Sequence, residues 1–299
     1  MTEKFDNTEA CVDLAIERVG KRFVLGAPLG LGKPTQLMNA FFQRACSDPD
    51  IELHIYTALS LEPPKPGSDL EARLAQPILD RLFGNVAELD YMKALRSDSL
   101  PANITVSEFY FKAGSMKSND SAQRNYISSN YTHIARDIVA RGINVLVGLV
   151  AVREGENGTE VSLSCNPDTA LEVAELLADR GDSPYVILAQ GNAELPFMEG
   201  DALVEVGMFD ALLQGPEYET RLFAVPNASV PLQDYATALH ASSLVADNGT
   251  LQIGIGSLGD AVAHSLILRQ HNNIQYRNLL DSITYVSPAD ETLIDAGRP

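Results

Sequence analysis

Phe23-Val-Leu-Gly-Ala-Pro-Leu-Gly-Leu-Gly-Lys-Pro-Thr35 runs from an apolar stretch through clustered glycines into an amphipathic stretch. That order reads as a strand, a tight glycine-rich turn and a helix. The arrangement returns downstream as Leu251-Gln-Ile-Gly-Ile-Gly-Ser-Leu-Gly-Asp260. Backbone N–H groups at such a turn, beside the positive end of a helix, can cradle phosphate, carboxylate or a developing oxyanion. Two copies predict two α/β halves of similar build.

Glycine loops of this kind serve several chemistries. The first loop is a near miss for a nucleotide P-loop. Lys33 follows Gly32, but Pro34 stands where a magnesium-binding hydroxyl belongs, and the spacing from Gly26 to Gly32 is one residue too long. The second loop is a literal G-x-G-x-x-G at Gly254, Gly256 and Gly259, with Asp281 near the distance of a ribose-binding acid. In a dinucleotide fold that acid ends a second strand. Here Gln270-His-Asn-Asn-Ile-Gln-Tyr-Arg-Asn278 is too polar for a buried parallel strand, so no NAD or FAD is expected. An NAD(P)-dependent oxidoreductase built on Gly254–Gly259 stays as an alternative. The plain structural reading is that these glycines permit close packing.

Outward from the first loop, helical and strand signals alternate. Thr8 to Gly20 reads as an amphipathic helix, Phe23–Leu25 as a strand, Thr35 to about Cys46 as a helix and 51–56 as a strand. Pro63-Pro-Lys-Pro-Gly-Ser68 is a break, and Leu70 to Phe83 is helical by period. A strand is expected at 104–111, a helix at 134–141 closed by Gly142, and a buried strand over 143–152. A turn at 154–159, a returning strand at 161–165, a helix at 171–179 and a strand at 185–189 follow. The pattern means an α/β fold with an open, mainly parallel sheet covered on both faces. Pro216 to Pro231 reads as a linker. The domains are therefore set at 1–225 and 226–299, the second holding a helix from Leu232 and the second glycine loop. About seventy residues are too few for a complete half, so the second domain is expected to be truncated. Its exposed apolar surface would favour homo-oligomers.

Of the 299 residues, 22 are Lys or Arg and 40 are Asp or Glu, giving a formal charge of −18. Such a chain is repelled by nucleic acid and by anionic membranes, so neither is an expected partner. The start, Met1-Thr-Glu-Lys-Phe-Asp, lacks an apolar signal region. Cys11, Cys46 and Cys165 form no disulfide framework and fit a reducing, cytoplasmic setting. The five histidines show no ligand spacing, and no metal is expected.

Several segments together carry a family resemblance. They are Gly26-Ala-Pro-Leu-Gly-Leu-Gly-Lys-Pro34, Thr57-Ala-Leu-Ser-Leu-Glu-Pro-Pro64, Gly84-Asn-Val-Ala-Glu-Leu-Asp-Tyr91, Asn125-Tyr-Ile-Ser-Ser-Asn-Tyr-Thr-His133, Ser162-Leu-Ser-Cys-Asn-Pro-Asp168, Gly191-Asn-Ala-Glu-Leu-Pro196 and Leu251-Gln-Ile-Gly-Ile-Gly256. In order and spacing the chain resembles the acetyl-CoA hydrolase/transferase family, in its longer bacterial form. The resemblance implies a CoA-transferase (NagB/RpiA-like) domain and acyl-CoA and small carboxylates as ligands, with coenzyme A as substrate and no cofactor. It also implies covalent catalysis by a glutamate through a glutamyl-CoA intermediate. In the family that glutamate follows a Ser or Thr in the second half. After Gly259 the sole glutamate is Glu291, in Ala289-Asp-Glu-Thr292, so the nucleophile is expected to be absent and no catalytic residue is assigned.

The substrate-binding candidates are Gly30, Gly32, Asn125, Tyr126, Ser129, Asn130, Asn192, Gly254 and Gly256. By resemblance the 125–133 segment faces the acyl pocket, yet Ser129, Asn130 and Thr132 ahead of Ile134 are equally good helix-capping chemistry. Asn192 and Pro196 follow a strand, where ligands gather in parallel sheets. Cys165 is expected to be a buried, inert thiol. Lys33 would either attract an anion or be exposed. The reading is acyl-CoA hydrolysis or CoA transfer by the full-length protein, with a non-catalytic acyl-CoA-binding module as a further alternative.

Overall fold

The computed structural model describes residues 2–283 except 157, 182 and 224–228. It divides into two units, residues 1–224 and 225–299. The first unit opens with strand β1 (Glu3–Phe5), helix α1 (Thr8–Val19), β2 (Arg22–Gly26), α2 (Thr35–Ser47) and β3 (Glu52–Thr57). Next come α3 (Asp69–Phe83), α4 (Asp90–Arg96), β4 (Ile104–Glu108), α5 (Asp120–Arg124) and α6 (Ile134–Ala140). β5 (Val145–Gly155), β6 (Gly158–Ser162), α7 (Pro167–Ala178), β7 (Val186–Gly191), β8 (Leu203–Val204) and β9 (Ala211–Leu213) complete it.

Among the described residues nine strands form one sheet, in the order β1-β9-β7-β5-β2-β3-β4. Every neighbour pair along that path is parallel. β6 and β8 extend it as an antiparallel flap off β5. The protein is thus an α/β fold with an open, mainly parallel sheet.

Because both faces are covered, strand residues are apolar on both sides and alternate between two cores. Phe23, Leu25, Leu53, Ile55, Val145, Val147, Val186 and Leu188 point to one face, where α1, α2 and α4 bring Val12, Leu37, Phe41 and Tyr91. Val24, Tyr56, Leu146, Ile187 and Leu212 point to the other, against Ile134, Ile138, Val173 and Leu177 of α6 and α7. Phe23 and Phe41 meet edge to face at 5.1 Å, a preferred aromatic geometry. Burying side chains of this size stabilises by about 1.5–3 kcal/mol each.

Helix starts follow capping chemistry. Asn7 caps α1 by accepting from the Ala10 amide at 2.8 Å, and Ser68 caps α3 through the Glu71 amide at 3.3 Å. In the first unit the expected elements lie within a few residues of those observed, but the short α5 and β8 were not foreseen, and two further differences stand out. β1 and β9 were not foreseen, being three residues each and carrying little periodic signal. Residues 216–223, read as linker, pack onto the first unit: Tyr218 is buried and its hydroxyl donates to the Asp6 carbonyl at 3.3 Å.

The described part of the second unit is helical: α8 (Leu232–Ser243), α9 (Ser257–His271) and α10 (Asn273–Ile283). Leu239, Tyr276 and Leu280 form its small core. The Tyr276 and Ser242 hydroxyls lie 3.0 Å apart. The Arg269 guanidinium donates to the Ser242 and Val245 carbonyls, both at 2.7 Å, closing the α8–α9 turn. The strand expected before Gly254 is not formed, since residues 251–256 are irregular and exposed. Ile253 and Ile255 thus have no sheet to enter.

Candidate functional site

The carboxyl end of β2 runs into the glycine loop. Gly30–Gly32 form one 3₁₀ turn there rather than an open turn. Gly30 takes a left-handed φ of 54°, a conformation glycine adopts without steric cost. Its amide donates to the Leu59 carbonyl at 3.2 Å. A Cβ on Gly32 would stand 2.3 Å from Asn166 Oδ1 and 2.7 Å from Pro28 Cβ, so that position admits only hydrogen. The neighbouring strand end mirrors the strain: Leu59, after β3, has φ 47° although it carries a side chain, a conformation worth explaining by function.

Lys33 explains how Leu59 is held. Its side chain is 4% exposed. Nζ donates to the Ala58 carbonyl and to the Leu59 carbonyl at 3.2 Å, tying the two loops together. Burial pulls the Lys33 ammonium down to about 7, against the opposing charge of Glu108.

Glu108 ends β4 and is fully buried. It accepts from Ser60 Oγ at 2.5 Å and from the Ser60 amide at 3.4 Å. Ser60 Oγ lies 2.6 Å from the Tyr91 hydroxyl. A hydroxyl has one proton to give, so Tyr91 donates to Ser60 and Ser60 to Glu108. Burial raises the Glu108 carboxyl above its ordinary range, while Lys33 and Ser60 hold it down. The tyrosine is pushed well up by burial and by the Glu108 charge.

A second polar chain stands at the end of β7 and reaches α2. Gln190 Nε2 donates to Gln36 Oε1 at 2.7 Å, and Gln36 Nε2 donates to Thr220 Oγ1 at 3.1 Å. Asn192, 2% exposed, donates to the Thr220 carbonyl at 2.9 Å and accepts from the Glu194 amide at 2.9 Å. Between the two chains lies a cavity of about 50 Å³ lined by Gly30, Lys33, Gln36, Leu61, Leu149 and Thr220 among others. Across the sheet, an apolar pocket of about 30 Å³ is walled by Pro28, Phe109, Tyr131, Ile138, Leu146 and Val173.

The proposed binding residues therefore divide. Gly30 and Gly32 form the loop at the cavity, and Asn192 stands one hydrogen bond behind it through Thr220. The 125–133 segment is largely occupied with its own conformation. Asn125 closes α5 by donating to Ser121 O at 3.0 Å, and Tyr126 packs on Phe111 at 5.9 Å. Ser129 donates to Asp137 at 2.6 Å, which holds that carboxyl below its usual range. Asn130 caps the turn at Tyr131–His133. Within the segment Tyr131 reaches the apolar pocket. Gly254 and Gly256 belong to the second unit and are exposed. Gly259 abuts the Gly254 carbonyl, where a Cβ would come within 2.1 Å, so close packing accounts for that glycine. Asp281 lies within α10 and not at a strand end. Cys165, read as buried, is exposed at the start of the turn into α7. Glu291 lies outside the described residues. Among the described residues no group of three or more His, Cys, Asp or Glu could hold a metal, and no helix is long and apolar enough to cross a membrane.

Ser60, Tyr91, Glu108, Gln36, Gln190 and Thr220 were not foreseen as site residues. Two left a signal. Gln190 is the polar residue near the end of an otherwise apolar strand, Val186-Ile-Leu-Ala, and Glu108 closes β4 after Ile104-Thr-Val-Ser. A buried polar side chain at such a place must be hydrogen-bonded.

No protein-family model matches the chain, and no curated protein is significantly similar to it. Solved structures are. RipA from Yersinia pestis superposes with a TM-score of 0.56 at 18% identity, over 90% of this chain and 54% of that one. A variant of RipA gives a TM-score of 0.57 at 19% identity, over 91% of this chain and 53% of that one. A 4-hydroxybutyrate CoA-transferase from Porphyromonas gingivalis is more distant, with a TM-score of 0.48 at 17% identity, over 90% of this chain and 52% of that one. The chain spans about half the length of these proteins. The likeness to RipA is one of fold: the same open, mainly parallel α/β architecture.

Proposed function

We propose that this chain holds the thioester end of an acyl-CoA, as the acyl-CoA-binding portion of a CoA-transferase or acyl-CoA hydrolase. One observation carries the reading: at the carboxyl ends of parallel strands, a buried lysine and two fully bonded polar chains flank a small cavity with an apolar wall. Ligands gather at that end of such sheets. Three segments that contribute lining residues, 26–34, 57–64 and 84–91, are among those that resemble the acetyl-CoA hydrolase/transferase family.

The residues suit a thioester. Leu61 and Leu149 offer apolar surface to a short acyl chain. The positive form of Lys33 lowers the cost of negative charge developing on carbonyl oxygen or departing sulfur. In the reaction that the family resemblance implies, a glutamate carboxylate attacks the thioester carbon, giving an acyl-glutamyl anhydride and CoA thiolate. The thiolate returns to form a glutamyl-CoA thioester, which passes CoA to an acceptor acid or is hydrolysed. Among the residues after Gly259 no Ser-Glu or Thr-Glu pair stands, and we assign the cavity residues to binding alone. The dinucleotide alternative lacks a supporting observation, because no strand precedes Gly254.

Isothermal titration of the chain with acetyl-CoA and butyryl-CoA tests the reading. Micromolar binding that Gln36→Ala weakens at least several-fold is expected. Absence of heat with both thioesters, or binding indifferent to Gln36→Ala, would contradict it.

A further inference from the structure

Lys33 is unlike the other lysines of the chain. Those at 4, 21, 65, 93, 112 and 117 are exposed, whereas Lys33 is buried and lines the cavity. Among the described residues no carboxylate lies within 4.0 Å of it, in contrast to Lys21 and Lys93, which are ion-paired. Its two acceptors are the Ala58 and Leu59 carbonyls. An ammonium has three protons to donate, a neutral amine two and a lone pair. Two carbonyls therefore satisfy the neutral amine completely and leave its lone pair unengaged. Burial, the larger influence, favours the same form, while the charge of Glu108 favours the ammonium. A desolvated amine of this kind is a nucleophile.

We propose that Lys33 is a covalent acceptor for small acyl groups delivered as thioesters to the cavity. The identity of the donor rests on the acyl-CoA reading above; the nucleophilicity of the amine does not. The Nζ lone pair adds to the thioester carbonyl carbon, the carbon–sulfur bond breaks, and the electron pair leaves on sulfur. The amine gives up one proton, which ends on the thiolate. The products are an Nζ-acyl lysine and a free thiol. The amide retains one N–H, so one of the two carbonyl bonds is lost, and the acyl group occupies the cavity. Acylation would thus loosen the Leu59 turn and block the site that delivered the acyl group.

The test uses the full chain in its folded state. It is incubated at pH 8 with acetyl-CoA or with S-acetyl-N-acetylcysteamine, a thioester without the nucleotide, and acetylated lysines are located by peptide mass spectrometry after chymotrypsin digestion. Acetylation at Lys33 about tenfold faster than at Lys65 or Lys112 is expected with both donors, slowing as pH falls toward 6 and the amine takes up its proton. Lys33→Arg, checked for folding by circular dichroism, should abolish the fast phase. Labelling by the small thioester with no advantage for acetyl-CoA would support the proposal while counting against the acyl-CoA reading. Acetylation that follows surface exposure and spares Lys33 with both donors would overturn the proposal, whatever the titrations show about CoA.

Discussion

At the scale of single residues the site depends on where a side chain is forbidden and where a buried charge is answered. Gly32 shows the first. A Cβ there would meet Pro28, whose ring cannot turn aside, and Asn166 Oδ1. Gly32→Ala is expected to destabilise the protein by about 1–3 kcal/mol through overpacking, read as a lower denaturation midpoint with unchanged slope. Lys33, bonded to the Ala58 and Leu59 carbonyls, shows the second; His54, outside the cavity lining, is a titratable ring that burial keeps uncharged. It stacks on Tyr56 at 4.1 Å and bonds Ser107 Oγ at 2.8 Å. Burial, helped by the charges of Arg141 and Arg22, lowers its pKa to about 4. The folded state thus refuses a proton that the unfolded chain accepts near its ordinary 6.5. Stability is full above about 6.5 and falls as pH drops toward 4, because the unfolded state then binds more protons. Denaturant titrations over that range should show the loss, and His54→Phe should flatten it. A slope unaffected by the substitution would assign the acid sensitivity elsewhere. Little of this was legible beforehand: Lys33 read as either an anion-attracting or an exposed cation, and its burial depends on β3 lying beside β2 and β4 beside β3, which no local pattern encodes.

At the scale of elements, the long periodic segments were readable and the short ones were not. β2, α2, β3, α6 and β7 carry an apolar run, a partial alternation or a helical period, and each lies within two residues of its expected bounds. β1 and β9 are held in place by parallel pairing with each other rather than by any signal of their own. The second glycine loop repeats the letters of the first but not its structure. Without strands to flank it, Leu251-Gln-Ile-Gly does not extend, and local propensity alone cannot supply a sheet. The two faces of the helices predict contrasting mutants. Phe41→Ala on α2, where the ring is fully buried, should cost about 3–5 kcal/mol. Leu74→Ser on α3, where the side chain is 80% exposed, should stay within about 0.5 kcal/mol. Thermal melts of the two variants separate these outcomes, and a large loss from Leu74→Ser would reveal a contact on that face.

At the scale of the whole molecule, charge and fold pull in different directions. Alternating strands and helices were enough to give the α/β class. Composition gave the charge of −18, and neither located the cavity, whose walls come from segments far apart in sequence. An acidic chain repels the phosphates of CoA beyond the immediate site, and about 10 Å of screening length at 0.1 M salt governs how far that reaches. Association of an acyl-CoA should therefore quicken as salt rises from low ionic strength, the reverse of a basic nucleotide site. Stopped-flow rates that fall with salt would place a compensating positive surface near the entrance. The central claim is that the acyl thioester is bound at the carboxyl ends of β2, β3 and β7. Amide hydrogen exchange with and without butyryl-CoA tests it most directly. Protection confined to 26–36, 58–62 and 190–194 is the predicted result. Unchanged exchange in those three segments, or protection by NAD at 254–260 in their place, would contradict it.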